Sequence, residues 1–184
     1  MKSNRPFRLI TGGSSGRIKI NRTVMEVSSA SGSLPVDVRV FEEDTRLALT
    51  VDSVMRHVEE HPVRLMTDIL EARPAEPGTV VRKRTSWYAV VLDLDAEPML
   101  RREWIDAAYA EVLRLAEEGG VARLGLPLLG TVHGRHPAGD SLGMLTARLR
   151  SGNFRKIQQI VIPAARDTGK TIRGLLLQMA KDSG

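Results

Sequence analysis

Pro127-Leu128-Leu129-Gly130-Thr131-Val132-His133-Gly134-Arg135-His136-Pro137 is the stretch whose residue types and spacing could do chemistry. An apolar run, Val121 to Leu126, leads into it, and a helix-like segment starting near Asp140 follows. Small residues let a backbone approach a ligand closely, and a helix start presents unpaired N–H groups and a positive dipole end. That arrangement holds anions.

Other motifs invite chemistry and lack what it needs. Thr11-Gly12-Gly13-Ser14-Ser15-Gly16 resembles the cofactor loop of short-chain dehydrogenases, which needs a helix behind it. Arg17-Ile18-Lys19-Ile20 follows instead and alternates like a strand, so a hairpin turn is expected. Gly169-Lys170-Thr171 echoes the end of a phosphate-binding loop, but the first glycine of that pattern falls on Ala164.

Leu92-Asp93-Leu94-Asp95 resembles the nucleophile motif of haloacid-dehalogenase-like phosphatases, where two carboxylates hold a metal while one attacks phosphorus. No later acidic pair completes the ligand set, so the segment is read as an acidic turn with Asp95 near the start of a helix. His133 and His136 stand without a nearby carboxylate. His57 and His61, one helical turn apart, lack a third ligand. No metal site and no cofactor are expected.

Lys and Arg number 27 against 22 acids, a net charge of +5, and the basic residues are scattered. Val81-Arg82-Lys83-Arg84, inside a strand, is the densest cluster. Such a surface suits a nucleic-acid partner or simple solvation. The chain has no cysteine, which excludes disulfides and thiolate metal sites. No apolar run approaches the roughly 20 residues that span a bilayer, and no leader-like segment opens the chain. A cytoplasmic protein without membrane contact is the expectation.

These residues must be positioned by alternating strands and helices. Strands are read at Phe7–Thr11, Arg17–Ile20, Thr23–Val27 and Val36–Phe41, then at Thr79–Thr85, Trp87–Leu92, Val121–Leu126 and Ile157–Pro163. Helical periodicity runs from Thr50 to about Val58, from Pro62 to about Glu71, from Pro98 to Glu118 and from Asp140 to Arg150. A last helix, with Thr168 as its cap, would bury Ile172, Leu175, Leu176 and Met179. The pattern predicts one α/β domain over residues 1–184, with an N-terminal hairpin in 1–27 and the main core in 36–184. A ligand site belongs beyond the carboxyl ends of the strands, where three loops qualify: Glu42–Leu49, Asp93–Glu97 and Gly130–Pro137.

From about Val36 onward the chain resembles the macro domain family, best known for binding ADP-ribose. The closest correspondence is Val121 to Leu149, where an apolar strand ends in proline and leads to a loop of the form P-x-h-G-T-G-x-x-G. Here that reads Pro127-Leu128-Leu129-Gly130-Thr131-Val132-His133-Gly134. The resemblance implies a three-layer α/β/α fold with a mixed, largely parallel central sheet. It also implies that Gly130, Thr131, Val132, His133 and Gly134 form a diphosphate loop, with Arg135 adding charge at the rim.

The departures are specific. Val132 replaces a glycine, and its side chain intrudes where phosphate must approach. The family's Asn-Ala-Ala-Asn segment falls at Phe41-Glu42-Glu43-Asp44, where Asp44 stands in for the last asparagine and Glu42 and Glu43 repel a diphosphate. The glycine-rich segment after it is replaced by Ala48-Leu49-Thr50-Val51, and the adenine-contacting Asp falls near Ala30.

The expected function is binding of an ADP-ribose-like nucleotide through the 130–134 loop without efficient catalysis. Two alternatives stay open. One is an ADP-ribosyl hydrolase using Asp44 as general acid or base. The other is a ligand-free scaffold that binds RNA or protein. Oligomeric state is not legible.

Overall fold

Among the described residues, alternating apolar residues and β-branching produce eight strands: β1 (Phe7–Leu9), β2 (Arg17–Ile20), β3 (Thr23–Ser28), β4 (Val38–Asp44), β5 (Val80–Lys83), β6 (Ser86–Leu92), β7 (Arg123–Gly125) and β8 (Gln159–Pro163). They were located in a computed structural model that describes residues 7–9, 16–28, 35–50 and 73–182. The strands form one mixed sheet in the order β1-β2-β3-β8-β7-β4-β6-β5. The five central strands, β3 to β6 in that order, run parallel, and antiparallel pairs close both edges. Helices α1 (Arg102–Gly119), α2 (Ala138–Ser151) and α3 (Arg166–Asp182) complete the described α/β architecture.

The helices pack against the sheet face that carries Ile18, Ile20, Val38, Val40, Trp87, Ala89 and Val91. Ile105, Tyr109, Val112, Leu113 and Ala116 are the buried stripe of α1, and Leu142, Leu145 and Leu149 that of α2. Burial of such side chains contributes about 1.5–3 kcal/mol each. The opposite face of β4 carries Arg39, Phe41 and Glu43, and Phe41 stacks on Tyr88 at 5.7 Å.

Several boundaries differ from the sequence expectation. β4 does not end at Phe41 but continues through Glu42, Glu43 and Asp44. Acidic residues are poor strand formers, yet here their carboxylates accept backbone N–H groups from adjoining loops. Helix α1 begins at Arg102 rather than Pro98 because the preceding segment pairs with the end of β6. Leu100 bridges to Leu92, and Asp93 donates its N–H to the Met99 carbonyl.

Asp95 therefore precedes the first residue of α1 by seven positions and pairs with Arg46 at 2.8 Å. Thr168 lies inside the first turn of α3 rather than capping it, since Gly169 already donates to the Ala165 carbonyl at 2.7 Å. The expected helices at 50–58 and 62–71, the turn at 12–15, Ala30, His57 and His61 lie outside the described residues, wholly or in all but their first position.

One buried polar cluster joins α1, α2 and the segment after β7. Tyr109 accepts the Leu129 N–H at 2.8 Å and donates to Ser141 Oγ at 2.7 Å. Ser141 in turn donates to the Leu129 carbonyl at 2.8 Å. Every polar group in the ring is satisfied, which makes it rigid. Burial pushes the Tyr109 phenol well above its ordinary value of 10.0.

Replacing Tyr109 with Phe leaves a buried Leu129 N–H without its acceptor and is expected to cost about 1–3 kcal/mol in urea unfolding. Below pH 10.0 both folded and unfolded states keep the Tyr109 proton, so its contribution is intact. Above that pH the unfolded chain releases a proton that the folded chain holds, and stability falls. The alkaline loss should be shallower in Tyr109→Phe than in the wild type; equal slopes would contradict the assignment.

Candidate functional site

Three parallel strands, β4, β7 and β8, end at one edge of the sheet, and the loops that leave them border a cavity of ≈ 800 Å³. Pro127, Leu128, Thr131, Val132 and His133 supply one wall. Pro163, Ala164, Ala165 and Arg166 supply another, continued by Thr168 and Ile172 of α3. Arg39, Val40, Phe41, Glu42 and Thr50 also border it. The cavity is thus apolar over much of its wall, with Arg39 and Arg166 as cations and the α3 start adding its dipole.

The 130–134 loop is built to expose N–H groups. Gly130 has φ +82, a left-handed conformation, and a Cβ there would stand 2.6 Å from Ile105 Cδ1. A Cβ on Gly134 would stand 2.5 Å from the Gly130 carbonyl oxygen. That carbonyl accepts the His136 N–H at 3.1 Å, and Thr131 turns its N–H and hydroxyl to the Leu128 carbonyl at 3.2 and 2.6 Å. The loop is a tight, self-bonded turn whose remaining N–H groups converge.

They converge on Glu42. Its Oε2 accepts from Gly130 at 2.7 Å and Val132 at 3.3 Å, and its Oε1 from His133 at 2.9 Å and Gly134 at 3.2 Å. Glu42 is 2% exposed. The anion in this loop is therefore the chain's own carboxylate, and an anion at such a ring of N–H groups is what the electrostatics favour.

Its neighbours are similarly engaged. Glu43, on the opposite face, accepts from Leu49 at 3.0 Å and from Thr50 N–H at 2.8 Å, and the Thr50 hydroxyl also donates to it. Asp44 Oδ1 accepts from Arg46 and Ala48 at 3.0 and 2.9 Å after a register shift between Glu43 and Asp44.

Of the residues singled out from sequence, Thr131, Val132 and His133 border the cavity. Gly130 and Gly134 shape the loop behind it, and Arg135 is exposed but not part of the lining. Val132 is 57% exposed, with its N–H turned to Glu42, and its φ is not positive. Asp44 is 1% exposed, anchors the turn after β4 and does not line the cavity.

Among the described residues, no group of three or more His, Cys, Asp or Glu is arranged to hold a metal ion. No described helix is long and apolar enough to cross a membrane. Sequence reading placed Glu42 beside the loop as a repelling charge and missed its role as the loop's acceptor. The residues are 88 positions apart, and the available signal was an acid at a strand end where the resemblance calls for a neutral residue.

Gly130→Ala forces a side chain into both a left-handed conformation and Ile105. It should lower unfolding free energy by about 1–3 kcal/mol. Unfolding at the wild-type urea midpoint would show that the loop tolerates another conformation.

No protein-family model and no curated protein sequence matches the chain. Solved structures do resemble it. The Oceanobacillus iheyensis macrodomain with ADP superimposes with a TM-score of 0.68 at 15% identity, over 93% of this chain and 98% of that one. The macro domain of ganglioside induced differentiation associated protein 2 gives 0.61 at 15% identity, covering 83% and 82%. The Trypanosoma brucei macrodomain in complex with ADP gives 0.59 at 15% identity, covering 84% and 69%. This chain has the macrodomain fold.

Proposed function

We propose that the chain is a non-catalytic binding module whose cleft takes a nucleotide-type ligand, ADP-ribose or a relative. The observation that carries this reading is the ≈ 800 Å³ cavity beyond the carboxyl ends of β4, β7 and β8. Small-molecule sites fall in the range of about 300–1,000 Å³ and favour this position in open α/β sheets. Phe41 and Ile172 offer apolar surface for a base or ribose, while Arg39 and Arg166 suit an anionic group. Similar folds from Oceanobacillus iheyensis and Trypanosoma brucei have been crystallised with ADP, and an Oceanobacillus variant with ADPR.

How the nearby described acids are used supports a reading without efficient catalysis. A general base must reach the proton it takes. Among the described lining residues Glu42 is the one acid, and both its oxygens accept loop N–H groups. Asp44 is buried and holds its own turn. No observation favours the hydrolase or the RNA scaffold over the binding module.

Calorimetry against ADP-ribose, ADP, NAD, cyclic nucleotides and adenosine tests the reading. At least one should bind, and Phe41→Ala should weaken it about tenfold, equivalent to about 1.4 kcal/mol. Silence against the whole panel at millimolar ligand would reject nucleotide binding. Release of ADP-ribose from a modified protein would reject the non-catalytic part.

A further inference from the structure

We propose that Glu42 is the specificity-determining residue of the cleft: its carboxylate is the resident anion of the 130–134 loop, so a nucleotide-type ligand is accepted only with its phosphates outside that loop, and one that must seat a diphosphate there is excluded. The ligand class rests on the reading of the cleft given above; the occupancy of the loop by Glu42 does not.

The geometry leaves no spare backbone donor in the 130–134 loop for a second anion. Both Glu42 oxygens accept two N–H groups each, from Gly130 and Val132 on one side and His133 and Gly134 on the other. The Thr131 N–H, the remaining donor of the loop backbone, is spent on the Leu128 carbonyl. A phosphate could enter only by expelling Glu42. That residue is held in β4, opposite Ala89 of β6, and is buried.

A tethered carboxylate competes at a high effective concentration, whereas a free anion must be captured from solution. An expelled Glu42 would also be a buried charge without its donors, which is strongly unfavourable. Were Glu42 to stay, its charge would repel the incoming phosphate at close range.

The same geometry separates the effects of the two departures in this loop. Val132 is largely exposed, and its N–H, the group a phosphate would need, points to Glu42. Opening the loop therefore requires a change at Glu42. Shortening Val132 alone leaves the donors occupied.

Inorganic pyrophosphate is the direct probe, read by thermal unfolding and by the amide resonances of Gly130, Val132, His133 and Gly134. In the wild type, millimolar pyrophosphate should leave the melting temperature and all four resonances unmoved, and Val132→Gly should behave the same way. Glu42→Ala should melt lower than the wild type and recover on adding pyrophosphate, with the four resonances shifting together. Its preference for ADP over adenosine should rise at least about tenfold above that of the wild type.

Saturable shifts of the loop resonances in the wild type would overturn the proposal. A folded Glu42→Ala that ignores pyrophosphate would overturn it as well. If Glu42→Ala does not fold, Glu42→Gln decides. It keeps one acceptor but opposes N–H groups with an NH₂, so it should melt lower and respond to pyrophosphate, and an unchanged melt would count against the proposal. Capture of pyrophosphate by the variant with no adenosine binding by either protein rejects the nucleotide-type cleft while sustaining Glu42 as the loop's anion.

Discussion

The carboxylate of Glu42 sits where four backbone N–H groups meet, and much of the surrounding structure is arranged as a consequence. A buried carboxylate without donors is prohibitively costly, and a ring of buried N–H groups without an acceptor is nearly as unfavourable. Each here resolves the other. The pairing ties β4 to the segment after β7 and fixes the position at which the 130–134 loop leaves the sheet. It also explains why β4 runs on through three acids instead of ending at Phe41.

The loop is braced from behind as well. Tyr109 and Ser141 hold both backbone groups of Leu129, one residue before the turn. Gly130 meets Ile105 of the same helix so closely that a methyl group cannot fit. Helix α1, helix α2 and Glu42 thus define one loop conformation from three directions. A site on rigid elements presents a fixed geometry to whatever enters the cleft.

The three successive acids show how a strand can divide its side chains among different tasks. Alternation sends Glu42 toward the helix-covered face and Glu43 to the other, where it takes the backbone around Thr50. The register shift before Asp44 turns the chain and lets Asp44 organise the next four residues. All three acids, including Asp44, the candidate general acid or base, serve as acceptors for backbone donors. With Glu42 engaged by the loop, Arg39 and Arg166 are the cations of a largely apolar described wall.

Most of the fold was legible from the residues. Period-two alternation marked the strands, and the stripes in α1 and α2 marked those helices, because both patterns are local responses to one buried face. Boundaries were less legible where tertiary pairing overrides propensity. Pro98 suits a helix start, yet Leu100 pairs with Leu92; Thr168 suits a cap, yet the helix begins before it.

The sequence by itself determined the α/β architecture, the 130–134 turn and its capacity to hold an anion, since glycines, strand and helix start are adjacent in the chain. Only the tertiary structure decided which anion is held. That depends on β4 lying beside β7 in the sheet, which brings Glu42 within 2.7 Å of the Gly130 nitrogen across a sequence separation of 88.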